Sequence, residues 1–202
     1  MEIENGITSL LESIKIAGRK KDLNAGNRIH TEIVQKGLFH QNICINNALI
    51  SMYVRLKMQD KAQQVFEELP IRDIISWSVL ISGYAQNGLG YEALNCFRKI
   101  QSDNLAPDEI TFLCVLSACS HRGLLDEAQT VFANMTKKYG IAPKLEHHTS
   151  MAVLFGCIGC LDKAISVVTA MPFSGDPSVW VALLGACRKW GNVKLGRFSF
   201  DQ

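Results

Sequence analysis

Four residues of this chain have the types and the local spacing of a zinc-dependent deaminase. His30 and Glu32 are two positions apart, and Cys157 and Cys160 are three positions apart. In such enzymes a histidine and two cysteines hold zinc, and the glutamate moves a proton while a zinc-bound water attacks the base. The proline that precedes the first cysteine in that signature is absent here. Whether these four side chains can meet depends on the elements that carry them.

The composition is that of a folded chain with little net charge. Of the 202 residues, 48% are hydrophobic and 20% are charged, with 15 glycines and five prolines, which excludes fibrous and low-complexity classes. The formal net charge of +2 does not by itself indicate a polyanionic partner. No apolar stretch approaches the roughly 18 residues of a membrane span, and the first residues resemble neither a signal nor a transit peptide. Seven cysteines, an odd number within apolar stretches, predict reduced and buried thiols.

Apolar residues recur with helical spacing in two alternating series of segments. In the first series the spacings are 31, 35, 36 and 32 residues, and the equivalent positions are Asn46, Trp77, Phe112, His148 and Trp180. In the second series the spacings are 36, 31, 35 and 36 residues, and the equivalent positions are Gly26, Ala62, Ala93, Ala128 and Ala164. Each helix is too short to bury its apolar stripe alone, so neighbouring pairs must stack. The sequence therefore predicts an all-α, right-handed α-solenoid.

Prolines and glycines predict the boundaries of the units. A proline ends the second helix of four units, at Pro70, Pro107, Pro143 and Pro172. The predicted units are 7–42, 43–73, 74–108, 109–144 and 145–176, followed by an incomplete unit at 177–202. Gly88, Gly123 and Gly159 are placed in the turns inside three units, and Lys57 stands at the equivalent place in another. Because the last unit lacks the end of its second helix, we expect a truncated chain or a missing extension.

The repeat argues against the deaminase interpretation. His30 occupies the position that Phe66, Phe97, Phe132 and Val168 hold in other units, which is a core position. Stacked units would keep it far from Cys157 and Cys160. A single C-x-x-C pair is a weak zinc signal. We therefore expect no bound metal, no cofactor and no catalytic residues, so that the chain is not itself an enzyme.

Several segments resemble the plant pentatricopeptide-repeat family, specifically its class in which long, short and standard units alternate. The segment IISWSVLISGYAQNGLGYEALNCFRKIQSDNLAPD resembles a standard unit, and ICINNALISMYVRLKMQDKAQQVFEELPIRD resembles a short one. EITFLCVLSACSHRGLLDEAQTVFANMTKKYGIAPK resembles a long unit, and LEHHTSMAVLFGCIGCLDKAISVVTAMPFSGD resembles the specialised last short unit. PSVWVALLGACRKWGNVKLG resembles the opening of the E motif that follows.

The resemblance implies binding of single-stranded RNA in mitochondria or chloroplasts, usually to specify a site of cytidine-to-uridine editing, with one base read by each unit. It implies that the fifth and final residues of a unit read the base, and that second residues sandwich it. The reading pairs are Asn47 with Asp73, Ser78 with Asp108, and Thr149 with Asp176; the sandwiching residues are Cys44, Ile75 and Ile110. The pairs Leu113 with Lys144 and Leu11 with Asn42 do not indicate a particular base. A deaminase or editing cofactor protein would act in trans, and no membrane is expected as a partner.

The chemistry of these pairs predicts a short sequence pattern. An aspartate accepts from the ring N–H of uracil or guanine, whereas adenine and cytosine present an acceptor there. A compact hydroxyl at Ser78 or Thr149 leaves room for guanine, and the longer Asn47 amide suits uracil. The predicted site reads x-U-G-x-G from 5′ to 3′. Two alternatives remain open, namely a helical scaffold that binds a protein and a fragment without stable function.

Overall fold

The structure, a computed structural model, describes residues 2–170, 177–191 and 193–201. These residues form helices joined by short turns, with one 3-10 turn at Leu38–His40 and no strand within the described ranges. The helices are α1 (Glu2–Lys20), α2 (Leu23–Gln35), α3 (Ile43–Arg55), α4 (Gln59–Glu67), α5 (Ile74–Gln86), α6 (Gly90–Ser102), α7 (Glu109–Arg122), α8 (Leu125–Lys137), α9 (Leu145–Cys157), α10 (Leu161–Thr169), α11 (Pro177–Trp190) and α12 (Val193–Phe200).

The helices form two layers, an inner layer of odd-numbered helices and an outer layer of even-numbered helices. The odd-numbered helices pack against one another in chain order from α1 to α11, and each even-numbered helix packs on the odd-numbered helix before it. Each helix therefore buries its apolar side against its neighbours and not against a central core. This arrangement confirms the predicted all-α solenoid of helical repeats.

Helix starts and turns follow local sequence signals. Helices α3, α5, α7 and α9 begin at the residues predicted from the sequence as the first of their units. Helix α1 begins at Glu2, five residues before the predicted start. The turn glycines Gly88, Gly123 and Gly159 have φ angles of 72°, 71° and 80°, in the left-handed region that glycine enters without penalty. Lys57 has a φ of 59° at the equivalent turn, so this conformation is kept without a glycine.

Aromatic pairs join the outer helix of one unit to the inner helix of the next. The rings meet edge to face, the orientation that their charge distribution favours. The pairs are Phe66–Trp77, Phe97–Phe112 and Phe132–His148, with ring centroids 4.5, 5.3 and 5.2 Å apart. The units are thus held in register by the same contact repeated along the solenoid.

The approach of α5 to α3 depends on Gly83. A Cβ at this position would overlap Cγ2 of Val54, a stiff and buried side chain on α3. The equivalent positions in other inner helices carry Met52, Ala118 and Leu154. The backbones of α3 and α5 therefore lie closer at this point than a side chain would permit.

Candidate nucleic-acid interface

The residues that close two units cap the next inner helix. The Asp73 carboxylate accepts from the backbone N–H of Ser76 at 2.7 Å, and the Asp108 carboxylate accepts from that of Thr111 at 2.8 Å. A side-chain acceptor at this position satisfies a helix N–H that has no partner inside the helix. Each carboxylate is therefore held at the start of a helix, at the edge of the inner layer.

Each capping aspartate also accepts from a hydroxyl. Ser76 Oγ donates to Asp73 Oδ1 at 2.8 Å, and Thr111 Oγ1 donates to Asp108 Oδ1 at 2.6 Å. Ser76 and Thr111 were not among the site residues predicted from the sequence. The spacing Asp-x-x-Ser and Asp-x-x-Thr at a helix start is the signal that could have identified them, because it places the hydroxyl above the cap.

Four of the predicted residues meet in one groove. We call these four residues, together with Thr111, the Ser78 junction. The groove has a volume of about 300 Å³ and is lined by Ile75, Ser78, Asp108 and Ile110. Ile75 and Ile110 are 58% and 63% exposed, unusually high for isoleucine, whereas Ser78 and Thr111 are buried. Arg55, Ser82 and Cys114 line the groove further along. Apolar side chains thus flank a polar edge at the same opening.

The neighbouring set, Cys44, Asn47, Asp73 and Ser76, is called the Asn47 junction. Cys44 is exposed, and Asn47 is half-buried one turn into α3. The Asn47 Oδ1 atom is buried and accepts no hydrogen bond from any described residue. Asp73 keeps its cap, but Ser76 makes no hydrogen bond to Asn47 among the described contacts. An acceptor is therefore present at this junction without a donor.

The next two predicted units differ from both junctions. The Lys144 side chain makes no capping hydrogen bond to α9. Instead His147 Nδ1 accepts from the Lys144 backbone N–H at 3.1 Å, and His147 Nε2 lies 2.9 Å from the Glu109 carbonyl oxygen. Lys144 also pairs with the Glu109 carboxylate at the surface. The Thr149 hydroxyl donates to the Leu145 carbonyl at 2.8 Å. Asp176, its predicted partner, lies outside the described residues.

The residues with deaminase-like spacing lie in different units. His30 stands on α2, where its Nδ1 is 2.8 Å from the Tyr53 hydroxyl and its ring stacks on Phe39, whereas Cys160 precedes α10. Burial lowers the pKa of His30, so the neutral ring is favoured. In the part of the chain that the structure covers, no three His, Cys, Asp or Glu side chains are grouped as metal ligands.

The expectation that the cysteines are buried holds only in part, because Cys119 and Cys187 are buried, Cys44 is exposed and the others are half-buried. Burial raises the pKa of Cys96 to about 11 and that of Cys119 to about 12, so both stay protonated at neutral pH. None of the described helices has the length and apolar character needed to cross a bilayer.

Comparisons with known proteins agree with the repeat. Residues 72–121 match the PPR repeat family, and residues 47–74 and 110–139 each match a PPR repeat. One Arabidopsis thaliana pentatricopeptide repeat-containing protein is 36% identical over 197 residues, which is 98% of this chain and 27% of that protein. A second, named as chloroplastic, is 38% identical over 184 residues, 91% of this chain and 26% of its own length. A third, named as mitochondrial, is 38% identical over 181 residues, 89% of this chain and 27% of its own length.

Solved structures share the fold. PPR10 in complex with an 18-nucleotide psaJ RNA element has a TM-score of 0.75 at 20% identity, covering 94% of this chain and 29% of that one. PPR10 from maize has a TM-score of 0.69 at 21% identity, covering 99% of this chain and 32% of that one. The chain spans just over a quarter of the length of the curated relatives that it matches. The repeat matches, the curated relatives and the stacked helical pairs together identify this chain as a pentatricopeptide-repeat protein.

Proposed function

We propose that the chain binds single-stranded RNA along its layer of inner helices and so specifies a processing or cytidine-to-uridine editing site in an organellar transcript. The observation that supports this most directly is the Ser78 junction. There the exposed Ile75 and Ile110 flank the polar groups of Ser78 and Asp108 in one groove. An unstacked base needs this combination, apolar contact for its faces and hydrogen-bonding groups for its edge.

The assignment of bases follows from the reading pairs. Asp73 and Asp108 offer carboxylate oxygens to the ring N–H of uracil or guanine. Asn47 with Asp73 is assigned uracil, Ser78 with Asp108 guanine, and Thr149 with Asp176 guanine. The unit that pairs Leu113 with Lys144 has no edge-reading set. The proposed site is x-U-G-x-G, read 5′ to 3′.

Helix lengths are consistent with alternating classes of unit. The outer helices α4 and α10 each have nine residues, whereas α6 and α8 each have 13. We assign 43–73 and 145–176 as short units, 74–108 as a standard unit and 109–144 as a long unit. Residues 177–202 are assigned to the opening of an E motif. We therefore propose that the chain belongs to the class with alternating unit lengths.

The proposed partner and location follow from the relatives and from the placement of the reactive side chains. Two of the relatives reported above are named as chloroplastic and mitochondrial, which supports an organellar location. His30 and Cys160 lie on different units, so they do not form a single deaminase site. We propose that deamination at the bound transcript is carried out by a partner protein in trans.

The test is selection of the purified chain against a randomised single-stranded RNA pool at moderate salt, followed by sequencing of the retained RNA. Enrichment of U followed by G, with a second G two positions later, would support the proposal and its polarity. Retention without any base preference would reduce the interaction to phosphate contacts, which depend strongly on salt. No retention by a folded sample would favour the scaffold that binds a protein or the fragment without stable function.

A further inference from the structure

The Ser78 hydroxyl belongs to a chain of hydrogen bonds that crosses from one unit to the next. Ser78 Oγ on α5 lies 2.7 Å from Thr111 Oγ1 on α7. Thr111 Oγ1 in turn donates to Asp108 Oδ1 at 2.6 Å. Thr111 has no exposed surface, and Ser78 is 7% exposed. The two residues that would read the base, Ser78 and Asp108, are thus joined through the third residue of the following unit.

The Asp108 carboxylate fixes which hydroxyl donates in each of these hydrogen bonds. A carboxylate can only accept, so the single hydroxyl proton of Thr111 points to Asp108. The Thr111 oxygen then has only lone pairs left, and Ser78 must be the donor to it. With its proton committed, Ser78 turns only lone pairs toward the groove. Asp108 Oδ2 receives no hydrogen bond from any residue that the structure describes.

We propose that Thr111 is a positioning residue that turns the Ser78 junction into a site made only of acceptors, and thereby selects guanine over adenine. The inference rests on the proposed RNA binding. Guanine carries two adjacent donors on its Watson–Crick edge, N1–H and the N2 amino group, which two acceptors match. Adenine places its N1 lone pair beside its amino group, so one acceptor of the junction would face another lone pair.

The Asn47 junction supplies a matched contrast within the same chain. Ser76 donates to Asp73 as Thr111 does to Asp108, at 2.8 Å. Among the described contacts, however, no hydrogen bond continues from Ser76 to Asn47. Ser76 therefore positions its carboxylate alone. Removing this hydroxyl is the control for removing the Thr111 hydroxyl.

The experiment measures dissociation constants of the full chain for four RNAs, x-U-N-x-G, in which only the base opposite Ser78 varies. Thr111→Val keeps the size of the side chain and the backbone N–H that Asp108 caps, but removes the hydroxyl. We expect the preference for G over A to fall about tenfold in this variant, the scale of one good edge contact. Thr111→Ser should restore it, and Ser76→Ala should leave it unchanged. Circular dichroism verifies that each variant is folded.

A double-mutant cycle separates positioning from simple packing. If Thr111 acts through Ser78, the G-over-A ratio of Ser78→Ala and of Ser78→Ala with Thr111→Val will be equal. Independent effects, or an equal loss on all four RNAs, would overturn the inference. A wild-type chain that prefers G while Thr111→Val retains the full preference would also overturn it and leave the proposed function intact. A folded wild-type chain that binds none of the RNAs would overturn both.

Discussion

At the Ser78 junction and at the Asn47 junction, an aspartate closes one unit, caps the next inner helix and accepts from a hydroxyl three residues later. From Thr111 the hydrogen bonds continue to Ser78, whereas from Ser76 they do not continue to Asn47. The Asn47 Oδ1 atom is left buried without a donor from the described residues, a situation that costs about 1–3 kcal/mol in proteins. Identical capping therefore leaves Ser78 hydrogen-bonded to the following unit, whereas the side-chain oxygen of Asn47 has no donor among the described residues.

Backbone packing also distinguishes the Ser78 junction, because α3 and α5 approach closely beside its groove, and Gly83→Ala should produce the largest effect. The new Cβ would press on Val54, which lines the groove of the Ser78 junction together with Gly83, and would push α5 away from α3. We expect a loss of about 1–3 kcal/mol in the free energy of unfolding, measured by urea denaturation.

Gly185→Ala is the matched control for Gly83→Ala. A Cβ at Gly185 in α11 would meet no atom within 4 Å. Alanine in a helix interior is favoured over glycine by about 1 kcal/mol, so this variant should be as stable as the wild type or more so. Equal stability of the two variants would show that the close approach of α3 and α5 carries no energetic weight.

Removing the two capping carboxylates should separate stability from base selection. Asp73→Ala and Asp108→Ala should each lower the free energy of unfolding by about 1 kcal/mol, because each loses a helix cap. Only Asp108→Ala should abolish the preference for G opposite Ser78. Asp108→Asn should keep the cap and shift that preference toward adenine, because its amide donates where the carboxylate accepted. Binding constants for the four RNAs and urea denaturation measure the two effects, and a large loss of stability in Asp108→Asn would contradict the capping role.

The smallest expected effect is a difference in thiol reactivity between the two junctions. Cys44 is exposed at the Asn47 junction, whereas burial raises the pKa of Cys114, which lines the groove of the Ser78 junction. Because the thiolate is the reactive form, iodoacetamide at pH 8 should modify Cys44 first. Peptide mass spectrometry follows both sites over time. Modification of both cysteines at the same rate would mean that the Ser78 groove is as open as the surface around Cys44.

The solenoid could be predicted from the sequence because each of its determinants is local. The start of α5 follows Asp73 and the start of α7 follows Asp108, and these caps need only the residues next to them. The positive φ of Gly123 was predictable because glycine enters that region without penalty. Lys57 was assigned to the same turn by the repeat spacing alone, since lysine gives no such signal.

The hydrogen-bond chain at the Ser78 junction could not be predicted in the same way. It depends on Ser78 and Thr111, which are 33 residues apart, and on how α5 and α7 are rotated when they stack. Neither a repeat period nor a local motif specifies that rotation. Asn47 has an equivalent neighbour in Ser76, yet no hydrogen bond joins them, so the sequence pattern alone would have given the wrong answer for one of the two junctions.

In the proposed recognition code, a single residue both caps a helix and faces the base, so few residue types can serve at that position. Asp, Asn, Ser and Thr cap helices well, whereas Ala, Val, Ile and Leu do not. An exchange between Asp and Asn at position 108 would therefore change the preferred base without costing much stability. A lineage could exchange one RNA target for another in single steps, with no prior gain in stability. Where Lys144 closes a unit, no side chain caps the next helix and His147 accepts from the Lys144 backbone N–H, so that returning this unit to recognition would require more than one change.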